Sequence, residues 1–507
     1  MICSGDMELP KVCDIIFIEF TVRKVKPVNV LHVSSECYPF VKVGGLADVV
    51  GSLPHELKRL RNADVRVILP LYKTVIDRYG SELQELANFK IDLGTKKNVY
   101  VGIKTIRFQN LDFYFIDNLL YFGSREQVYD YGDEAERFAY FQLAVCESLP
   151  KIPFIPDIIH VHDWHTAMIP LLVKNKYQAT LRARTVLTIH NLAYQGIFPL
   201  SEARIFGIDN DPTYEFEGFL NFLKAGILAA DLVTTVSETY AREILTDYYG
   251  YGLQRVLRSR GKRFIGILNG ISYRDFDPGN DKLIKCNYTS DNFIEGKQNN
   301  KKALQDQIGF DFPSDKPLIG FVSRLVSQKG LDLVKRIFDE MLASDDFYFI
   351  VLGSGEHEYQ EFLLGLMGRF PDRVCVKIGY DEKLAHQIYA SSDMFLMPSK
   401  FEPCGLSQMI ALRYGSIPIV RETGGLIDTI QPFNEYELTG NGFSFTHFNA
   451  HDMMHVIRYA LTVFRIKEAW NAIVKRAMAA DFSWVQSAKK YKKAYRLLMP
   501  NTKKEKQ

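Results

Sequence analysis

Short apolar runs alternate with stretches of helical hydrophobic spacing along nearly the whole chain. In the first half, runs with the length of buried strands occupy residues 30–33, 65–69, 158–161, 185–189, 232–236 and 264–268. After a polar stretch, the pattern restarts at residues 318–322, 347–352, 374–378, 394–397 and 417–420. Alternation of this kind predicts parallel sheets joined by right-handed crossover helices. Two such series predict an α/β fold made of two doubly wound domains.

The length and the composition of the chain agree with this organisation. A chain of 507 residues is too long for one hydrophobic core, and 47% apolar with 24% charged residues is typical of a soluble globular protein. The net charge of +2 gives no electrostatic argument for nucleic acid or a membrane as partner. The seven cysteines are scattered without a CxxC pair, which predicts reduced thiols and a cytoplasmic location. The oligomeric state is left open.

The same pattern predicts where the domains begin and end. We expect an N-terminal extension at 1–28, a first domain at 29–280, a linker region at 281–315, a second domain at 316–480, a final helix at 481–500 and a polar tail at 501–507. The apolar run inside the extension is too short for the hydrophobic region of a signal peptide, and no apolar run of the chain reaches the length of a transmembrane helix.

A glycine-containing loop follows the first candidate strand. It carries Lys42, Gly44 and Gly45, and the apolar residues after it recur at helical spacing. Glycine lets a ligand approach the backbone closely, and a helix N-terminus offers free N–H groups and partial positive charge. The loop therefore predicts a phosphate site with Lys42 as its cation. The alternative is a tight turn that carries a solvated lysine.

Polar and aromatic residues follow two further strands of the first series. Asp163 and Trp164 come after the strand at 158–161, and His190 comes after the strand at 185–189. Ligands of open parallel sheets bind beyond the carboxyl ends of the strands. A carboxylate for hydroxyl groups and a ring for a sugar face suit carbohydrate recognition. The alternatives are that Asp163 caps a helix and that His190 is a structural residue.

The first half also contains three histidines close together in sequence, His160, His162 and His165. The first two share one strand face, the third lies beyond the strand end, and no second carboxylate cluster accompanies them, so we expect no metal site. The glycine loop has neither the spacing of a Walker loop nor that of a dinucleotide fingerprint. We therefore expect no cofactor.

The second series carries charged residues after two of its strands. Arg324 and Lys329 follow the strand at 318–322, where they suit a diphosphate. Glu402 follows the strand at 394–397, and a carboxylate beside an anion site is unusual unless a hydroxyl-rich or cationic group lies between them. The alternatives are solvated cations and a surface acid. The residues that would present their N–H groups at the start of the next helix are Gly405, Leu406 and Ser407.

Taken together and in this order, the motifs KVGGLADVV, HDWHTA, TIHNLAYQG, SRLVSQKGLDL, FEPCGLSQM and RETGG resemble the bacterial glycogen synthases and the plant starch synthases. The resemblance covers residues 30–495. It implies a GT-B fold, in which two Rossmann-like domains face a deep cleft and a final helix crosses back to the first domain. It also implies transfer of glucose from ADP-glucose to the non-reducing end of an α-1,4-glucan such as glycogen, with retention of configuration and without a metal ion.

The resemblance assigns the cationic residues to the donor substrate. Lys42 and the backbone of Gly44 and Gly45 are expected to meet the nucleotide diphosphate or the glucose of ADP-glucose. Arg324 and Lys329 are expected to neutralise the diphosphate as it leaves, when its charge grows.

The remaining roles concern the sugar and the base. Glu402 is expected to hold glucose hydroxyls and stabilise the cationic sugar, and His190 to contact the glucose near the reacting centre. Asp163 and Trp164 are expected to border the junction of donor and acceptor, and Tyr380 to stack on the adenine. The residues expected to direct a helix start at phosphate are Gly405, Leu406 and Ser407.

Two other functions are compatible with these residues. One is a synthase of the same fold that uses UDP-glucose, and the other is a non-catalytic subunit that binds glucan. The presence of Lys42, His190, Arg324, Lys329 and Glu402 argues against the second.

Overall fold

The computed structural model describes residues 27–60, 63–94, 96–208 and 212–499. The predicted polar tail and all but the last two residues of the predicted extension at 1–28 lie outside these residues. Within them, the strands are β1 (Val28–Val33), β2 (Ala63–Pro70), β3 (Gln84–Leu93), β4 (Lys96–Phe108), β5 (Leu111–Asp117), β6 (Ile158–His162), β7 (Arg184–Ile189), β8 (Ile197–Pro199), β9 (Glu215–Phe216), β10 (Phe219–Asn221), β11 (Leu232–Thr235), β12 (Phe264–Gly266), β13 (Leu318–Val322), β14 (Tyr348–Gly353), β15 (Val374–Ile378), β16 (Met394–Met397), β17 (Ile417–Arg421) and β18 (Phe443–Phe445).

Helices separate most of these strands. In chain order, the α-helices of the described residues are α1 (Gly45–Arg59), α2 (Lys73–Tyr79), α3 (Glu134–Ser148), α4 (Ile169–Asn175), α5 (Phe222–Ala229), α6 (Glu238–Glu243), α7 (Gln254–Arg258), α8 (Phe293–Ile308), α9 (Leu331–Ser344), α10 (His357–Arg369), α11 (Glu382–Ser391), α12 (Ser407–Arg413), α13 (Gly424–Thr429), α14 (Ala450–Arg465), α15 (Lys467–Ala479) and α16 (Trp484–Leu498). The helical spacing predicted after the glycine loop is confirmed by α1, whose buried residues include Leu46, Val49, Val50, Leu53 and Leu57.

The first sheet has the strand order β12-β11-β7-β6-β1-β2-β5-β4-β3. Its predicted strands are confirmed, and they pair in parallel. The antiparallel edge made by β3 and β4 was not predicted. Most residues of β3 are exposed or half-buried, so the segment lacks the continuous apolar run that marks a buried strand. The chain leaves β1 for β2 on one side and returns to β6 on the other, so the order reverses beside β1.

The second sheet has the order β15-β14-β13-β16-β17-β18, with parallel pairing throughout. The restart of the strand pattern after the polar stretch is therefore confirmed. Here the order reverses between β13 and β16. In open α/β sheets, ligands bind at such reversal points, beyond the carboxyl ends of the strands.

Two segments connect the halves of the molecule. The predicted linker region contains α8 and packs against the second sheet's helices, where the Asp281 carboxylate lies 2.8 Å from His386 Nδ1. The final helix, α16, lies against the first sheet, where Tyr495 Oη is 2.7 Å from His160 Nδ1. Lys492 Nζ of the same helix donates to the carbonyl of Leu60 at 2.9 Å. The domain boundaries stay a prediction.

The described part of the chain contains sixteen α-helices. None of them combines the length and the hydropathy that a membrane-crossing helix needs. The thiols within the described ranges are free, at Cys37, Cys146, Cys286, Cys375 and Cys404.

Candidate active site

The loops that carry the predicted residues lie at the points where the strand order of each sheet reverses. In the first sheet, the loop after β1 carries Lys42 and the loop after β6 carries Asp163. In the second sheet, the loop after β13 carries Lys329 and the loop after β16 carries Glu402. Because β1 neighbours β6 and β13 neighbours β16, each pair of loops lies side by side although its members are far apart in sequence.

A charged pair lies at the carboxyl edge of the second sheet. Lys329 Nζ is 2.6 Å from Glu402 Oε2, and the Ser399 hydroxyl donates to the same oxygen at 3.0 Å. The side chains of Lys329 and Glu402 are 17% and 8% exposed. The backbone N–H of Lys400 donates to the carbonyl of Gln328 at 2.8 Å and ties the two loops together. The site thus holds a cation and a carboxylate in fixed positions next to each other.

The RETGG motif supports the backbone of Glu402. Gly424 has a φ of +47°, and a Cβ there would clash with the carbonyl oxygen of Glu402. The N–H of Gly425 donates to that same oxygen at 3.1 Å. Glycine is required at position 424 both by the left-handed backbone and by this close approach.

We expect Gly424→Ala to destabilise the protein and to displace Glu402. The left-handed backbone alone costs about 1–3 kcal/mol for a residue with a side chain, and the clash adds to that cost. Thermal melting and limited proteolysis around residue 402 measure the two effects. Gly44→Ala is the matched control for stability, because Gly44 has a φ of −142° and a Cβ there would meet no atom within 4 Å. Equal melting temperatures for the two variants would contradict this account.

The glycine loop differs from the sequence prediction in one respect. The N–H groups of Val43 and Gly44 both donate to Glu36 Oε2, at 2.6 and 2.9 Å. Glu36 is 4% exposed, and its other oxygen accepts from the Tyr129 hydroxyl at 2.7 Å. The expectation of free N–H groups is therefore wrong for these two residues. A buried carboxylate from the same chain is the partner of these two N–H groups.

Lys42 reaches toward the second half of the chain from this loop. Its Nζ is 2.7 Å from Asp48 Oδ1. Burial acts to lower the pKa of Lys42, but Asp48 raises it above its usual value, and Tyr380 and Glu382 contribute in the same direction. The loop that carries Tyr380 and Glu382 therefore lies near Lys42. The Tyr380 side chain is 74% exposed there.

Asp163 and His190 form one unit at the edge of the first sheet. The backbone N–H of His190 donates to Asp163 Oδ1 at 2.7 Å, and His190 Nε2 lies 3.1 Å from His162 Nδ1. Burial raises the pKa of Asp163 to about 7 and lowers the pKa of His190 to about 3. The ring of His190 is therefore uncharged at neutral pH. Trp164 packs so closely on Gly196 that a Cβ there would clash with it.

A cluster of buried histidines lies behind this unit. The ligand atoms of His32, His160 and His162 lie within 4.8 Å of one another. His32 stands in the apolar run of β1 and was not predicted as part of a cluster, but the parallel register places it directly beside His160. Both ring nitrogens of His160 have partners, which are Tyr495 Oη and a threonine hydroxyl, and both nitrogens of His162 face other histidines. A metal ion would have to displace these contacts. The absence of a metal stays a prediction.

The remaining predicted residues of the second half are Arg324, Gly405, Leu406 and Ser407, and the last three are half-buried. Arg324 is exposed, and no ion pair involves it in the described part of the chain. Gly405 has a φ of +72°, and α12 begins at Ser407. Their positions agree with the sequence analysis, and their ligands remain predictions.

Comparisons with known proteins agree over most of the chain. Residues 29–259 match the family model described as the starch synthase catalytic domain, and residues 304–472 match the model for glycosyl transferases group 1. The glycogen synthase of Geobacillus thermodenitrificans is 48% identical over 483 residues, covering 93% of this chain and 98% of that protein. The glycogen synthase of Desulforamulus reducens is 48% identical over 482 residues, covering 94% and 99%. A solved structure described as the catalytic domain of starch synthase IV from Arabidopsis thaliana, bound to ADP and acarbose, matches with a TM-score of 0.86 at 36% identity, covering 93% of this chain and 99% of that one.

Proposed function

The chain belongs to the family of bacterial glycogen synthases and plant starch synthases, and on this premise we propose that it transfers glucose from ADP-glucose to the non-reducing end of an α-1,4-glucan, with retention of configuration. It is a glycosyltransferase of the GT-B fold, with two Rossmann-like domains. The observation that carries the proposal is the Lys329–Glu402 pair, 2.6 Å apart, at the reversal point of the second sheet. We place the reaction in the cytoplasm, which the free thiols support.

We assign Lys329 and Arg324 to the diphosphate of the donor. Negative charge on this leaving group grows as the glycosidic bond breaks. Cations that are already fixed in place stabilise that charge without reorganising. Lys329 is held by its contact with Glu402, whereas Arg324 is exposed and free to close on a ligand. Lys42 would complete the cationic lining from the opposite side when the domains close.

We assign Glu402 to the glucose. Its carboxylate is fixed by Ser399 and Lys329, so it can accept hydrogen bonds from sugar hydroxyls and stabilise positive charge that develops on the ring. His190 carries no charge at neutral pH because burial lowers its pKa to about 3. Its contribution to the sugar is therefore a hydrogen bond.

The arrangement of carboxylates supports front-face attack by the acceptor. Retaining glycosidases use one carboxylate as nucleophile and a second as acid and base. The carboxylates of Asp163 and Glu36 in the first half already accept hydrogen bonds from the protein: one oxygen of Asp163 accepts from the His190 N–H at 2.7 Å, and one oxygen of Glu36 accepts from the Gly44 N–H at 2.9 Å. We therefore propose that the acceptor hydroxyl attacks the face from which the diphosphate departs, and that a phosphate oxygen takes its proton.

Three further contacts complete the donor site. A Cβ at Gly44 or Gly45 would meet no protein atom within 4 Å, so the fold leaves room there for donor atoms to approach the backbone. The exposed ring of Tyr380 would stack on the adenine. The residues whose N–H groups would face phosphate at the start of α12 are Gly405, Leu406 and Ser407.

The donor is tested with two labelled nucleotide sugars. We expect incorporation of glucose into glycogen from ADP-glucose with a kcat/KM at least about tenfold above that for UDP-glucose. Tyr380→Ala should raise the KM for ADP-glucose by about tenfold, since stacking of a base on an aromatic ring contributes about 1–3 kcal/mol. Tyr436→Ala, which removes another strongly exposed tyrosine (90%), is the matched control.

The outcomes separate the alternatives. Faster transfer from UDP-glucose would contradict the proposed donor but leave the reaction class intact. Glycogen binding without turnover from either donor would support a non-catalytic glucan-binding subunit. An unchanged KM for ADP-glucose in Tyr380→Ala would contradict the proposed stacking of that ring on the adenine.

A further inference from the structure

Three histidines form a continuous hydrogen-bonded row from the core of the first sheet to the cleft. His32 Nδ1 lies 3.0 Å from His162 Nε2, and His162 Nδ1 lies 3.1 Å from His190 Nε2. His32 and His162 are 0% exposed. The row crosses the neighbouring strands β1 and β6 and ends just after β7, so the backbone of the sheet fixes its spacing.

A neutral histidine carries one ring proton, so the hydrogen bonds of the row can run in either of two directions from donor to acceptor. In one direction, His32 donates to His162, which donates to His190. In the other, each bond runs the opposite way and His32 must carry its proton on Nε2. That atom is buried and has no hydrogen-bond partner among the described residues.

The unpartnered atom decides between the two directions. A buried N–H without an acceptor is rarer than a buried acceptor without a donor, because burial of an unsatisfied donor is costly. His32 therefore carries its proton on Nδ1, and His162 carries its proton on Nδ1 as well. Since His190 Nε2 then accepts from His162, the single proton of the His190 ring resides on Nδ1.

We propose that His32 and His162 are positioning residues that fix His190 as an Nδ1–H donor toward an oxygen of the sugar substrate. The inference rests on the proposed role of His190 in the site. In this tautomer, the free nitrogen of His190 offers a proton and has no lone pair, so it binds a substrate oxygen and does not remove a proton from it. The row also restricts rotation of the His190 ring. Burial keeps the row neutral, because it lowers the pKa of His32 to about 3 and that of His162 well below its usual value.

Two substitutions at position 162 test the two ring nitrogens separately, because each variant keeps the contact of only one of them. In His162→Asn, the amide nitrogen occupies the place of Nδ1 and still donates to His190. In His162→Gln, the amide reaches the place of Nε2 and keeps the contact with His32 but loses that with His190. We expect His162→Gln to lower kcat by about tenfold or more, and His162→Asn by less than about threefold, with little change in the KM for glycogen. Melting temperatures check that both variants fold.

A double-mutant cycle with His190→Ala separates positioning from a purely structural role. If His162 acts through His190, His162→Gln should change kcat by less than about twofold once His190 is alanine. Equal losses in both backgrounds, or equal kcat values for the two position-162 variants, would overturn the inference. Full activity of His190→Ala alone would instead overturn the proposed role of His190.

Discussion

Glu402→Gln is expected to lower kcat by about a thousandfold while the protein keeps its fold. The amide retains a hydrogen-bond acceptor for Ser399 and Lys329, which contact the carboxylate at 3.0 and 2.6 Å. It removes the negative charge that would stabilise the developing positive charge on the sugar. Loss of one fixed electrostatic group in an active site costs about 10²–10³ in kcat, and we place this residue at the upper end because its side chain is only 8% exposed.

Single-turnover transfer from labelled ADP-glucose to glycogen measures this effect. Glu358→Gln is the matched control, because Glu358 also pairs with a lysine, Lys335, at 2.7 Å, but on an exposed surface. Turnover of Glu402→Gln within about tenfold of the wild type would refute the assignment. A glucosyl group found covalently attached to Glu402 would replace front-face attack with a double displacement.

Lys329→Met is expected to lower kcat/KM by about 10²–10³-fold, since it removes a fixed cation from the leaving diphosphate. It is also expected to destabilise the protein, because Glu402 is then left as a buried carboxylate without its counter-ion. Steady-state kinetics with varied ADP-glucose and a thermal melt measure the two effects. Lys335→Met, at the exposed pair, should change neither.

The double variant Lys329→Met/Glu402→Gln distinguishes the two consequences. Removing both charges should restore most of the melting temperature lost in Lys329→Met, because no unpaired charge remains. Activity should stay as low as in the worse single variant, because both proposed contacts with the donor are gone. Recovery of activity together with stability would contradict the proposed roles of both side chains, because the double variant carries neither charge.

The strands could be predicted from the sequence because buried parallel strands consist of continuous runs of apolar residues. The predicted strands of β13 and β16 each had polar residues directly after them, and that sufficed to nominate Lys329 and Glu402. Their direct contact could not be predicted, because the two residues are 73 positions apart. Only the sheet order, which places β13 beside β16, brings the two loops together.

Two other parts of the site could not be predicted from the sequence, for the same reason. Glu36 stands seven and eight residues before the N–H groups that it binds, and no local pattern shows that the chain folds back to that distance. His32 reads as one polar residue in an apolar strand, and its meaning depends on the register between β1 and β6. Contacts between strands that are distant in sequence carry no local signature.

The docking of α16 has a consequence for the order in which the chain acquires its structure during synthesis. Tyr495 supplies the partner of His160 Nδ1 in the centre of the first sheet, and Trp484, Tyr491 and Tyr495 are each at most 3% exposed. A ribosome adds Tyr495 more than three hundred residues after His160. During synthesis, the first sheet therefore lacks the packing partners that α16 supplies until the residues of this helix have been added.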